Sequence, residues 1–142
     1  MEKVMQLEIV TPDKYFMKLD NVKYAYFDAL DGGIGVYANH LPLITALKDA
    51  PFKYRDDKDA EHFIHLSGGF AEVMDNKITI LSIQAEAAED IDLERAHAAL
   101  ERAENRIANF TVDLNIKRAE AAKARALGRI RTVELSMAAK MR

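Results

Sequence analysis

The side chains best equipped to bind something are arginines. Arg95 and Arg102 lie seven residues apart, two turns along one helix face, and Arg125 and Arg129 lie four apart, one turn of another. If the two segments pack side by side, four guanidiniums converge. Their planar forks match phosphate oxygens, and Asp92 beside them can accept from a ribose hydroxyl or an amine. Glu89 and Glu101 lie near enough to screen them, so the same arginines also read as a salt-bridged surface.

The other candidates are weaker. His62 and His65 look like a metal pair until they are placed on a strand, where residues three apart point to opposite faces and cannot share an ion. They read as surface histidines or a partner contact. His40 stands in a loop with no nucleophile nearby. Asp31-Gly32-Gly33-Ile34-Gly35 lacks the Lys-Ser/Thr of a phosphate loop and reads as a tight turn leading into a strand. Gly68-Gly69 suits a bulge or corner. Asp56 and Asp57 lie in a hydrophilic turn. The chain has no cysteine, which removes thiol catalysis and thiolate metal sites.

Two kinds of element must position these groups. Met5, Leu7 and Ile9 alternate with polar residues, the period of a half-buried strand, and Pro12 ends it. Residues 22–27, 61–66, 70–74 and 77–83 read as further strands, with Asp75-Asn76 as a tight hairpin turn. Ile78, Ile80, Leu81 and Ile83 place apolar groups on both faces, so that last strand is expected to be covered on both sides. Short strands at this spacing imply a sandwich or barrel. Near residue 85 the composition changes: beyond it alanine crowds in, and glycine and aromatics nearly vanish. From the N-cap candidate Asp92, Leu93, Ala96, Leu100, Ala103 and Ile107 recur at helical spacing. Ile116, Ala119, Ala122, Ala126, Ile130, Val133 and Met137 form a second stripe, and residues 109–115 are expected to break the two. The expected fold is a mainly β N-terminal sandwich, residues 1–85, and a C-terminal antiparallel two-helix hairpin, residues 86–142. Alanine seams bury little area, so the hairpin is expected to be weakly held and able to open.

The 142 residues carry a net charge of −3, which argues against a dedicated nucleic-acid binder. Residues 1–85 hold nine basic and thirteen acidic side chains, residues 86–112 three and seven, and residues 113–142 eight and three. The last segment, at +5, suits an acidic partner surface as well as a solvated helix face. The first residues lack the apolar run of a signal peptide, and no stretch has the length of a membrane span, so a cytosolic protein is expected.

Several stretches, in order, resemble the epsilon-subunit family of bacterial F-type ATP synthases. They are Leu7-Glu8-Ile9-Val10-Thr11-Pro12, Asp31-Gly32-Gly33-Ile34-Gly35-Val36, His40-Leu41-Pro42-Leu43-Ile44-Thr45-Ala46-Leu47, Leu66-Ser67-Gly68-Gly69-Phe70-Ala71-Glu72-Val73 and Ile91-Asp92-Leu93-Glu94-Arg95-Ala96. The resemblance spans essentially the whole chain. It implies a rotor subunit of the central stalk that couples ion flow to ATP synthesis and performs no covalent chemistry. Its sandwich would meet the gamma subunit and the c-ring, with Asp31 and His40 in the contacting loops. Its hairpin would fold down on the sandwich or extend up gamma and inhibit ATP hydrolysis.

The resemblance also implies an ATP sensor. The motif residues Ile91, Asp92, Arg95 and Ala96, with Glu86, Arg102, Arg125 and Arg129, would bind regulatory ATP; no cofactor is otherwise required. In the extended state Lys117, Arg118, Lys123 and Arg131 would face the catalytic head of alpha and beta subunits. The expected location is the cytoplasmic face of the bacterial plasma membrane, held there through the complex. Two departures stand out. Where the family carries an acid in the Gly-Glu-Ile/Leu-Gly loop this chain has Gly33, with Asp31 nearest, and Ala38-Asn39 replace a Pro-Gly. Outside the family reading, a free-standing nucleotide-binding regulator would use the same arginine face, and a small hydrolase would need His40 with Asp31.

Overall fold

The computed structural model describes residues 3–109 and 115–142. Seven strands come first: β1 (Met5–Thr11), β2 (Lys14–Ala29), β3 (Gly32–Tyr37), β4 (Leu43–Asp56), β5 (Glu61–Met74), β6 (Lys77–Leu81) and β7 (Ala85–Ala87). One 3-10 turn, Ala88–Asp90, leads to helices α1 (Leu93–Ala108) and α2 (Ile116–Lys140).

The long strands make the sandwich by changing partners along their length. The first half of β2 pairs antiparallel with β1, and its second half pairs with β3 and β4. β5 pairs with β4 throughout, but its other edge carries β7 at residues 64–66 and β6 at residues 70–74. β1 closes the ring by lying parallel to β6. The flattened ring encloses one core. Leu7, Ile9, Val22, Phe27, Phe52, Leu66, Ile78 and Ile80 are buried there, and the rings of Phe27 and Phe52 stack with centroids 6.4 Å apart.

The expected sandwich and hairpin are present, with local corrections. Residues 61–66 and 70–74 belong to one strand, β5, whose corner at Gly68-Gly69 falls where its edge partner changes. β4 is a full strand although Pro51 lies inside it. The β2–β4 register is interrupted between Leu47 and Lys53, so a residue with no N–H to donate sits at the gap. Leu81 and Ile83 are 53% and 70% exposed, so β6 is covered on one face only. His65 is 2% exposed and lies beneath α2, not at the surface. Asp75 and Asn76 turn with φ of 50° and 61°, as a two-residue hairpin requires, and Asn39 takes φ 63° in place of the glycine.

Asp92 caps α1, its Oδ1 accepting from the Arg95 N–H at 3.1 Å, and Asn115 caps α2 through the Arg118 N–H at 3.1 Å. Most of the expected break between the helices, residues 110–114, lies outside the described residues. The helices pack on each other through small side chains, with Ala96 and Ala103 of α1 and Ala119 and Ala126 of α2 buried. α2 alone rests substantially on the sandwich, against β4 and β5. Its sheet-facing stripe is Gly128, Thr132 and Ser136, all buried and spaced one turn apart. Thr132 donates to the Gly128 carbonyl at 2.7 Å, which satisfies its hydroxyl within the helix. Met137, expected in the apolar stripe, is exposed.

Candidate functional site

Antiparallel packing sets residues 99–106 of α1 beside residues 122–129 of α2, and their shared groove opens toward the edge of the sandwich. Between them lies a cleft of about 550 Å³. Three walls line it. α1 gives Arg102 and Arg106, α2 gives Arg125 and Arg129, and the sandwich gives His65, residues 83–86 and the β1–β2 turn with Asp13 and Lys14.

Four of the eight residues expected to bind a nucleotide meet here: Glu86, Arg102, Arg125 and Arg129. Glu86 and Arg129 form a two-pronged pair, Nε to Oε1 at 2.9 Å and Nη2 to Oε2 at 3.2 Å. The pair ties β7 to α2. The other four lie outside the cleft. Ile91 and Ala96 are buried near the start of α1, the Asp92 carboxylate caps that helix, and Arg95 is exposed on its first turn. Arg95 stands two turns from Arg102, about 10 Å along the axis, which takes it past the end of the cavity. Arg106, one turn beyond Arg102, lines the cleft instead.

His65, Lys14 and Arg106 are cleft residues that the sequence reading does not include. Arg106 is legible from its four-residue spacing to Arg102. Lys14 and His65 come from distant strands and carry no local signal. The His65 ring fits under α2 because position 128 is glycine: a Cβ there would lie 2.6 Å from the ring's Nε2. That nitrogen is buried with no hydrogen-bond partner among the described residues. Burial, and then the charges of Arg129 and Arg125, push its pKa down to about 4, so the ring is neutral at ordinary pH. Beside it, burial pushes the Asp49 carboxyl above its ordinary range, and Arg125 partly offsets this. Asp13 is held below the usual carboxylate range, first by the Thr11 hydroxyl donating to it at 2.8 Å, and stays anionic.

The residues expected to meet partners lie elsewhere. Asp31 is exposed in the β2–β3 turn, and the His40 ring sits 2.6 Å from the Leu41 carbonyl through Nδ1. At Gly33 a Cβ would overlap the Tyr26 hydroxyl, so that tyrosine fills the space a side chain would need there. Lys117 and Arg118 are exposed at the start of α2, and Lys123 is half-buried. Arg131 lines a separate crevice of about 300 Å³ with Lys53, Phe63 and Arg142.

A β-sandwich carrying a docked helical hairpin, with a cationic cleft between the two, defines a class of small two-part proteins. Comparison with known proteins gives the family. Residues 4–88 match the family model described as ATP synthase, Delta/Epsilon chain, beta-sandwich domain, and residues 89–134 match ATP synthase, Delta/Epsilon chain, long alpha-helix domain. The ATP synthase epsilon chain of Nitratidesulfovibrio vulgaris (strain DP4) is 45% identical over 108 residues, 76% of this chain and 79% of that one. Two solved assemblies share the fold. A chain of the Euglena gracilis mitochondrial ATP synthase (OSCP/F1/c-ring) aligns with TM-score 0.71 at 22% identity, over 100% of this chain and 83% of that chain. A chain of the Tetrahymena thermophila mitochondrial ATP synthase central stalk/c-ring aligns with TM-score 0.60 at 17% identity, over 95% and 97%. The chain belongs to the ATP synthase delta/epsilon chain family. It works as an epsilon-type subunit within that membrane-associated complex, and among its described residues no helix is long and apolar enough to cross a membrane.

Proposed function

We propose that the chain is a non-catalytic, nucleotide-sensing rotor subunit, whose hairpin docks on the sandwich when ATP fills the cleft and inhibits hydrolysis when released. The observation that carries this reading is the meeting of Glu86, Arg102, Arg125 and Arg129 on one cleft bounded by both parts of the molecule. A ligand there contacts the docked state alone. It stabilises docking by RT ln(1 + [L]/Kd), about 2.7 kcal/mol at a hundredfold excess over Kd. That is comparable to what an alanine-rich interface supplies.

The remaining surface supports a stalk position. Ile44, Phe70, Leu81 and Ile83 are exposed on the sandwich, and Phe70 pairs across the sheet with Ala46 on one side and Leu81 on the other. A contiguous apolar face of this kind suits a gamma-type partner. The loops holding Asp31 and His40 would approach the c-ring. The undocked α2 would offer Lys117, Arg118, Lys123 and Arg131 to an acidic segment of the head. The complex would hold the chain peripherally at the cytoplasmic face of the membrane.

Calorimetric titration of the chain with ATP, beside Arg102→Ala and Arg125→Ala, tests the cleft. The expected result is micromolar to low-millimolar binding that both variants lose. Silence up to several millimolar in the parent chain would leave a stalk subunit that does not sense ATP.

A further inference from the structure

We propose that Lys14 and Arg106 complete the anion site by holding the distal phosphate of a nucleoside triphosphate, so that bound ligand staples the hairpin to the sandwich. This rests on the ATP reading above and extends it to residues on a third wall.

Charge around the cleft carries the inference. Five cations line it, Lys14, Arg102, Arg106, Arg125 and Arg129, against two acids, Asp13 and Glu86. Glu86 is already committed to Arg129. Lys14, Arg102, Arg106 and Arg125 have no ion-pair partner within 4 Å among the described residues. The excess of three positive charges therefore surrounds a void, and the like charges repel. A monophosphate brings a charge of about −2 at most, too little to balance them. A triphosphate carries enough negative charge to offset the excess and is long enough to meet more than one wall. The volume also falls in the range of small-molecule sites.

Lys14 gives the arrangement its mechanical meaning. It is the first residue of β2, where the Thr11 hydroxyl reaches the Lys14 carbonyl at 3.2 Å across the β1–β2 turn. Its side chain is exposed at the cleft wall, where its ammonium lies 5.9 Å from the Phe16 ring and its charge acts on the neighbouring Asp13 carboxylate. Arg106 faces it from the last turns of α1, the helix that has no substantial contact of its own with the sandwich. Empty, the two walls push apart. Filled by a polyanion, they are drawn together, and α1 gains through the ligand the attachment it otherwise lacks.

The test is titration of the full chain with ATP, ADP and AMP, comparing the parent with Lys14→Ala, Arg106→Ala and Lys14→Arg. Losing one charge-assisted contact should weaken ATP about tenfold in each alanine variant. AMP should change less than twofold, and Lys14→Arg should retain most of the ATP affinity. Unchanged ATP binding in both alanine variants would overturn the inference and leave the ATP reading standing. Equal weakening of ATP and AMP would also overturn it, since the lysine would then act as a diffuse charge. A parent chain that binds no nucleotide would overturn the ATP reading, and this inference with it.

Discussion

The sandwich and the hairpin are held by different physics. The sandwich buries large side chains against each other, each worth about 1.5–3 kcal/mol on leaving water. The hairpin meets itself through alanines and meets the sandwich through Gly128, Thr132 and Ser136, which bury little. Three ion pairs also bridge the two parts: Glu86 with Arg129, Glu89 with Lys140 at 3.7 Å, and Glu61 with Arg142 at 3.4 Å. The Glu89–Lys140 pair is exposed on both sides and the Glu61–Arg142 pair on its arginine side, so each is worth little singly. A scaffold held by a large core and an arm held by small contacts is the division of labour that the proposed switch requires.

The sharpest way to break the comparison is in the core. Phe52→Ala should cost the sandwich about 3–5 kcal/mol in denaturant unfolding, because its buried ring leaves a cavity. Ala126→Ser in the helix seam should leave the sandwich midpoint unchanged. If both moved it equally, the two regions would be one cooperative unit.

A smaller effect is expected where the arm meets the scaffold. Gly128→Ala places a methyl group against the His65 ring and should cost docking about 1–3 kcal/mol. The natural chain has no cysteine, so a dye pair on introduced cysteines in α2 and the sandwich can report docking by energy transfer. His65→Ala in the same chain should restore it. Failure of that rescue would show that Gly128 serves the helix itself and not the ring.

The smallest effect is the pH dependence of docking. His65 is depressed to about 4 when docked and returns to its ordinary value of 6.5 when α2 lifts away. Neutral His65 therefore favours docking fully above pH 6.5, and the contribution is lost as pH falls toward 4. At pH 5.5 docking should be weaker by about tenfold than at neutral pH, by proton linkage. His65→Leu should flatten the energy-transfer profile over that window, and an unchanged profile would assign the titration to another group.

Much of the fold is legible in local pattern, because period and turn chemistry act between near neighbours. Met5, Leu7 and Ile9 alternate into the core, Asp75-Asn76 turns as its residue types require, and Asp92 caps a helix. Arg102, Arg125 and Arg129 can be placed together from helical spacing once the helices are assumed to pair. The stripe of Gly128, Thr132 and Ser136 has the same legible spacing, yet its small polar residues do not announce a buried face. Pro51 obscures β4, because whether a missing N–H matters depends on which edge faces a partner.

The sequence by itself therefore determined the two-part organisation, the elements and the resemblance that fixes the family. Those follow from composition, period and ordered motifs, all of which are local. Only the tertiary structure decided that His65 is buried under Gly128, that Lys14 and Arg106 line one cleft, and that Arg95 is not among the residues lining it. Each of these depends on how far one element is displaced along another. That displacement is set by contacts between residues distant in the chain, which no local pattern encodes.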